Sequence, residues 1–153
     1  MSIEGGGGDL SGKPHVETHG PFAGWLTWGT GGDPYETLTG PYYFRIEDGQ
    51  ARCAFQPRPE HLNGSGAIHG GALMTFADFS LFAIAHNALQ GGVRAVTLTC
   101  NCEFIRPGGL DGLVEAHGEV LSAGRSMIFV RGLMTQRAKP VLAFSGSLKK
   151  IAA

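Results

Sequence analysis

Between Ala72 and Ala85 the chain runs through fourteen positions, eleven of them apolar, interrupted only by Thr75, Asp78 and Ser80. Apolar side chains on nearly every side leave a helix no polar face, so this one has to be enclosed by other structure. A membrane span is a poor fit, because the uninterrupted apolar runs fall far short of about 18 residues and a carboxylate sits mid-run. A Gly-rich segment, His61 to Gly71, leads into the helix, and Gly91-Gly92 is expected to end it. At 153 residues the chain has the length of one ordinary domain. A domain of that size buries roughly two-thirds of the surface its unfolded form exposes.

The rest of the chain reads as material for that enclosure. Residues 1–14, with Gly5 to Gly8 and almost nothing apolar, are expected to form a flexible tail, and residues 15–153 a single domain. Phe22, Trp25, Leu26 and Trp28 recur at helical spacing and predict a short amphipathic helix within Pro21–Tyr35, stopped by Gly29 to Gly32. Tyr42, Phe44 and Ile46 alternate with polar neighbours. Asp48-Gly49 is a two-residue hairpin signal, and Ala51, Cys53 and Phe55 alternate on the return before Pro57 and Pro59. Four strand-like runs follow the helix: Val93–Arg106, Leu113–Leu121, Ser126–Thr135 and Val141–Leu148. Their short connections predict an antiparallel meander. Simple alternation in the first run puts Val96, Leu98, Cys100, Cys102 and Phe104 on one face, and Thr97, Thr99, Asn101 and Glu103 on the other. The order is hairpin, apolar helix, four strands: an α+β fold in which one sheet curls around a central helix.

Several function classes drop out. Twelve Lys and Arg balance thirteen Asp and Glu, which offers no electrostatic footprint for nucleic acid or an anionic membrane. Three Cys and no signal peptide speak against a disulfide framework and for a reducing cytoplasm. Cys100 and Cys102 share a strand face with Leu98 and Phe104 and read as buried thiols. The six His are scattered, so no metal site is expected. No phosphate-binding loop is present: where a dinucleotide fingerprint needs a third glycine, Pro34 and His69 stand instead. A G-x-S-x-G nucleophile elbow is also missing.

Two features carry chemistry. His69-Gly70-Gly71 stands where loop becomes helix, and the free N–H groups of a first helical turn suit a carbonyl oxygen that gains negative charge in a reaction. A tight helix entry that binds nothing is the alternative. Asp78, among apolar neighbours, is either a satisfied structural hydrogen-bonder or a functional carboxylate. It lies eight residues beyond Gly70, about 12 Å along the axis and roughly 80° around it. A carboxylate reaches only a few ångströms, so if both groups serve one reaction, two copies of the chain must supply them under twofold symmetry. Asn63, on the same loop, has an amide that could hold a carbonyl oxygen or position water, or form an Asx-turn.

The run His61-Leu-Asn63-Gly-Ser-Gly66-Ala-Ile-His69-Gly70-Gly71, followed by Asp78, resembles the signature of hot-dog-fold acyl-CoA thioesterases of the phenylacetate-pathway branch. The likeness covers about Tyr42 to Leu148 and includes the turn Phe104-Ile-Arg-Pro-Gly108. The resemblance implies that the Gly70 N–H, with Gly71 beside it, polarises the thioester carbonyl. It implies that Asp78 of a second subunit acts as nucleophile or general base, and that Asn63 and His69 orient thioester and water. Some relatives carry a hydroxyl one turn after the carboxylate, where this chain has Phe82; Thr97 matches the position other members use. Arg106 and Arg125 would meet coenzyme A phosphates, and Phe76, Phe79 and Phe82, with Trp25 or Trp28, would line the acyl pocket. Coenzyme A enters as part of the substrate, with no separate cofactor, and the chain would self-associate as a dimer or tetramer. A dehydratase using His69 as base on a 3-hydroxyacyl thioester, and a hot-dog protein that binds acyl thioesters without turnover, are the rival readings.

Overall fold

A computed structural model describes residues 12–151. Of the expected tail, residues 1–11 lie outside the described residues. At Gly12 the backbone carbonyl already accepts a hydrogen bond from Trp28 Nε1 at 3.1 Å. The described residues form eight strands: β1 His15–Val16, β2 Leu26–Thr27, β3 Tyr43–Glu47, β4 Gln50–Phe55, β5 Arg94–Phe104, β6 Val114–Ala123, β7 Met127–Gln136 and β8 Lys139–Ile151. Among them are also two α-helices: α1 Pro34–Thr39, and α2 Gly70–Ile84 packed against β4 through β8. All strand pairs are antiparallel.

The turn chemistry sets the first hairpin. Asp48 and Gly49 both take positive φ, 51° and 78°, which matches the twist of the flanking strands. The resulting register sets Tyr43 opposite Ala54 and Phe44 opposite Cys53, so the hairpin has two apolar faces. On one, Tyr42, Phe44 and Phe55 meet Phe76 and Phe79 of α2, with ring centroids 4.8–6.1 Å apart. Complete burial of each such ring contributes about 1.5–3 kcal/mol. On the other, Tyr43 and Ala54 pack with Phe22 and Trp25. At the far end of the sheet Gly146 admits α2: a Cβ there would lie 2.5 Å from Leu81 Cδ1 and 2.4 Å from Thr99 O.

Four expectations need correction. No helix forms over the segment containing Phe22, Trp25 and Trp28. Gly20 and Gly24 have φ of 74° and 91°, which break it into a 3-10 turn, Gly20–Phe22, and the strand β2 paired with β3. The helix forms later, as α1, where Asp33 Oδ1 caps the Glu36 N–H and Pro34 fits the first position. Helix α2 ends at Ile84, before Gly91-Gly92, and a 3-10 turn, His86–Leu89, intervenes. The meander holds only for β6-β7-β8. Strand order is β1-β2-β3-β4-β6-β7-β8-β5, so β5 crosses to the sheet edge beside β8, and α2 is covered from both ends of the sheet. Finally, β8 starts at Lys139, because Arg137 and Ala138 alone make the turn with φ of 51° and 62°.

Candidate active site

Enclosure of α2 is incomplete along one stripe. Leu73, Phe76, Ala77, Phe79, Ser80, Leu81 and Ala83 are buried, whereas Gly71 and Met74 are exposed and Thr75, Asp78 and Phe82 half-buried. Those five positions share one helical face. Asp78 therefore sits on the single side of α2 that the sheet leaves open. Helix α1 partly covers that side, tied to α2 by a 3.2 Å hydrogen bond between Tyr35 Oη and Thr75 Oγ1. Between them Asp33, Tyr35, Glu36, Met74, Thr75 and Asp78 line a cavity of about 320 Å³.

Asp78 Oδ1 accepts a 2.6 Å hydrogen bond from Thr97 Oγ1 of β5. Strict alternation places Thr97 on the face of Thr99 and Asn101, and the structure corrects this. The ladder shifts between Thr97 and Thr99: Thr97 pairs with Leu148 and Thr99 with Ser147, so Leu98 is the extra residue of a bulge. One inserted residue reverses the parity of the strand and turns Thr97 toward α2, on the side of Cys100 and Cys102. Burial pushes the Asp78 carboxyl above its ordinary value, and the Asp33 charge adds to this. The Thr97 hydrogen bond acts the other way, because it favours the charged form. Burial, with the Asp33 and Asp78 charges, pushes Glu36 up to about 8. The half-buried Cys100 thiol is pushed up to about 12, first by burial, which leaves it a poor nucleophile. Among the described residues no group of three or more His, Cys, Asp or Glu is arranged to hold a metal ion.

The helix entry borders a neighbouring cavity of about 550 Å³, with His69, Gly71 and Arg58 on its wall; Tyr35 and Thr75 line both cavities. His69 is the N-cap, and its Nδ1 accepts from the Gly71 N–H at 2.8 Å. Gly71 thus spends its N–H on the cap, and a Cβ on it would stand 3.0 Å from that nitrogen. The Gly70 N–H meets no acceptor among the described residues. A Cβ on Gly70 would meet the Phe104 ring at 3.2 Å, so packing of the chain itself also explains both glycines. Asn63 Oδ1 accepts from Ser65 N and Ala67 N, which makes the Asx-turn and leaves its Nδ2 donors unspent. Neither Asn63 nor Gly70 lines the Asp78 cavity.

The outlying residues divide. Phe76 and Phe79 are core, and Trp28 stacks on Phe44 at 5.0 Å. Trp25 lies on the far face of the sheet under the Arg45 guanidinium, away from α2, and drops out of any acyl pocket. Phe82 is the one aromatic of α2 on the open stripe. Arg106 and Arg125 are exposed, and Arg106 Nη1 donates to Pro140 O. Sequence reasoning missed Asp33, Tyr35 and Glu36. Asp33-Pro34-x-Glu36 is a helix-start pattern that could have located α1 but not what α1 covers.

A family model described as the Thioesterase superfamily matches residues 65–142, just over half of the sequence. The chain belongs to the thioesterase superfamily. This thioesterase is 30% identical over 107 residues to the acyl-coenzyme A thioesterase PaaI of Escherichia coli, an alignment covering 69% of this chain and 74% of that one. Against acyl-coenzyme A thioesterase 13 of Homo sapiens it is 28% identical over 100 residues, covering 64% and 69%. A solved variant of the phenylacetic acid degradation protein PaaI from Thermus thermophilus superposes with a TM-score of 0.66 at 31% identity, covering 78% of this chain and all of that one. The antiparallel sheet around α2 is the hot-dog fold, and the thioesterase is a thioester hydrolase of the phenylacetate-pathway-like branch.

Proposed function

We propose that this thioesterase hydrolyses an acyl- or arylacyl-coenzyme A at a site shared between two copies of the chain. The observation that carries the reading is the division of the machinery: Asp78, held by Thr97, lines the cavity beneath α1, whereas the unspent Gly70 N–H lies outside that cavity, eight residues back and about 12 Å along α2. In the shared site the Gly70 N–H of one copy polarises the thioester carbonyl. Asp78 of the other takes a proton from the attacking water and passes it to the departing sulfur, or attacks the carbonyl itself to form a mixed anhydride that water then cleaves, restoring the carboxylate and supplying the thiol's proton. Either way a C–O bond replaces the C–S bond, and the free acid and coenzyme A thiol leave. Thr97 holds the carboxylate, and the Asn63 amide and the His69 ring orient thioester and water. Exposed Arg106 and Arg125 are available to the coenzyme phosphates, and Phe82 to the acyl chain.

Two further observations support pairing. Strand β5 hydrogen-bonds only to β8, which leaves an edge eleven residues long without a partner among the described residues. Val96, Leu98, Phe104 and Ile105, on and just beyond that strand, are each more than two-fifths exposed, apolar surface that is costly to leave in water. Hydrolysis is favoured over dehydration by the cap: because Nδ1 of His69 accepts from Gly71, the neutral ring carries its proton on Nε2 and serves as donor, not base.

Free-thiol release from a panel of acyl- and arylacyl-coenzyme A thioesters tests the chemistry. Release of no thiol from any member, or an enoyl product, overturns it. Mixing tests the sharing. Gly70→Pro deletes the N–H at the first helical position, with the exposed Phe104 ring shifting to admit the new Cβ, and Asp78→Asn removes the carboxylate. Each is inactive alone, and co-refolded mixtures regain activity because mixed pairs hold one intact site. No regain from such mixtures overturns the shared site.

A further inference from the structure

Glu36 has no place in the mechanism above, yet it lines the same cavity as Asp78. Its backbone is held by α1: the Glu36 N–H donates to Asp33 Oδ1, and its carbonyl accepts from the Gly40 N–H. Helix α1 is in turn fixed to α2 by Tyr35 and Thr75. The side chain enters the cavity that Asp78 lines, and its Oε2 is buried without a hydrogen-bond partner. An ionised oxygen in that position would be an unpaired buried charge; a carboxylic acid avoids that charge and keeps an O–H donor to offer.

We propose that Glu36 is a positioning residue of the hydrolytic site, its neutral carboxyl closing the cavity beside Asp78 and supplying a hydrogen-bond donor to the water that Asp78 activates. The proposal rests on Asp78 being the hydrolytic group. The titratable groups around Glu36 are Asp33 and Tyr35 on α1, Asp78 on α2 and Tyr42 before β3. The Arg58 guanidinium lies beyond, with Nη2 spent on the Gly40 carbonyl. Two carboxyls sharing a cavity resist carrying charge together, so Asp78 ionises first and Glu36 stays protonated at neutral pH. Above about pH 8 Glu36 ionises beside Asp33 and Asp78, the donor is lost, and the buried oxygen draws water between α1 and α2.

The test has an arm that needs no turnover. With 13C-labelled glutamate, the Glu36 carboxyl resonance, assigned by its absence from E36Q, titrates near 8 in the wild type. In D78N it titrates lower, because a neighbouring negative charge is gone. In kinetics, E36A lowers kcat about tenfold with KM little changed, and E36Q, which keeps an N–H donor of the same shape, recovers most of that loss. The wild-type kcat/KM profile falls above about pH 8 and the E36Q profile does not, while both keep the same acid limb. A Glu36 midpoint in the ordinary carboxylate range, a midpoint unmoved in D78N, or superimposable wild-type and E36Q profiles overturns the proposal. Normal Glu36 coupling in an enzyme that releases no thiol overturns the hydrolase reading instead.

Discussion

Thr97 Oγ1 and Asp78 Oδ1 stand 2.6 Å apart although they lie nineteen positions apart in the sequence, and only a bulge at Leu98 brings them together. The hydroxyl donates to the charged form of the carboxylate and opposes the rise that burial and Asp33 impose. Thr97→Val keeps the shape and removes the donor. A hydrogen bond to a charged group contributes about 1.5–3 kcal/mol, so the acid limb of the kcat/KM profile should move up by about one pH unit or more. Thr97→Ser should leave it in place. The pH–rate profiles of the two variants decide this.

Asp78→Asn should abolish turnover, with a loss of about 10²–10⁴ if the carboxylate is a general base, and should also stabilise the fold. The sign follows from the raised carboxyl value. Below its unfolded value Asp78 is neutral in both states and folding carries no penalty. Above its folded value the native state must hold a charge it disfavours. The Tm gain of D78N over wild type should therefore be present at pH 7 and vanish as the pH falls below the ordinary carboxylate range. Thermal melts across that range measure it; a gain independent of pH contradicts it.

Leu98→Asp places a charge at an exposed apolar position on the β5 edge without touching the α2 core. The native particle should shift toward single chains, with activity lost in parallel. Light scattering and thiol release on the same samples test the link. A fully active monomer would contradict the shared site.

Gly146→Ala asks whether α2 must approach the sheet this closely. Its Cβ would fall 2.4 Å from Thr99 O and 2.5 Å from Leu81 Cδ1. Backbone cannot yield cheaply there, so a loss of about 1–3 kcal/mol is expected from overpacking. Denaturant unfolding reads it directly, and activity per folded molecule should change less than stability.

The hairpin at Asp48-Gly49, the apolar helix and the Gly-rich entry were legible in the residues because each depends on local chemistry: turn dihedrals, helical periodicity, a missing Cβ. The segment around Trp25 departs from its helical spacing because the spacing of aromatics does not register that Gly20 and Gly24 turn the backbone to positive φ. Strand neighbours were equally illegible. Whether β5 joins β6 or crosses to β8 depends on which edge best covers α2, a choice made by the packed sheet and not by connection length.

By itself the sequence determined that a carboxylate and a donor-rich helix entry lie on one helix and too far apart to meet, because rise per residue is a property of the backbone. Only the tertiary structure decided which groups surround the carboxylate. Thr97 reaches it because one bulged residue reverses the parity of a strand, and Glu36 because a short helix docks across the open stripe of α2. Both depend on contacts between segments distant in the chain, which no local pattern encodes.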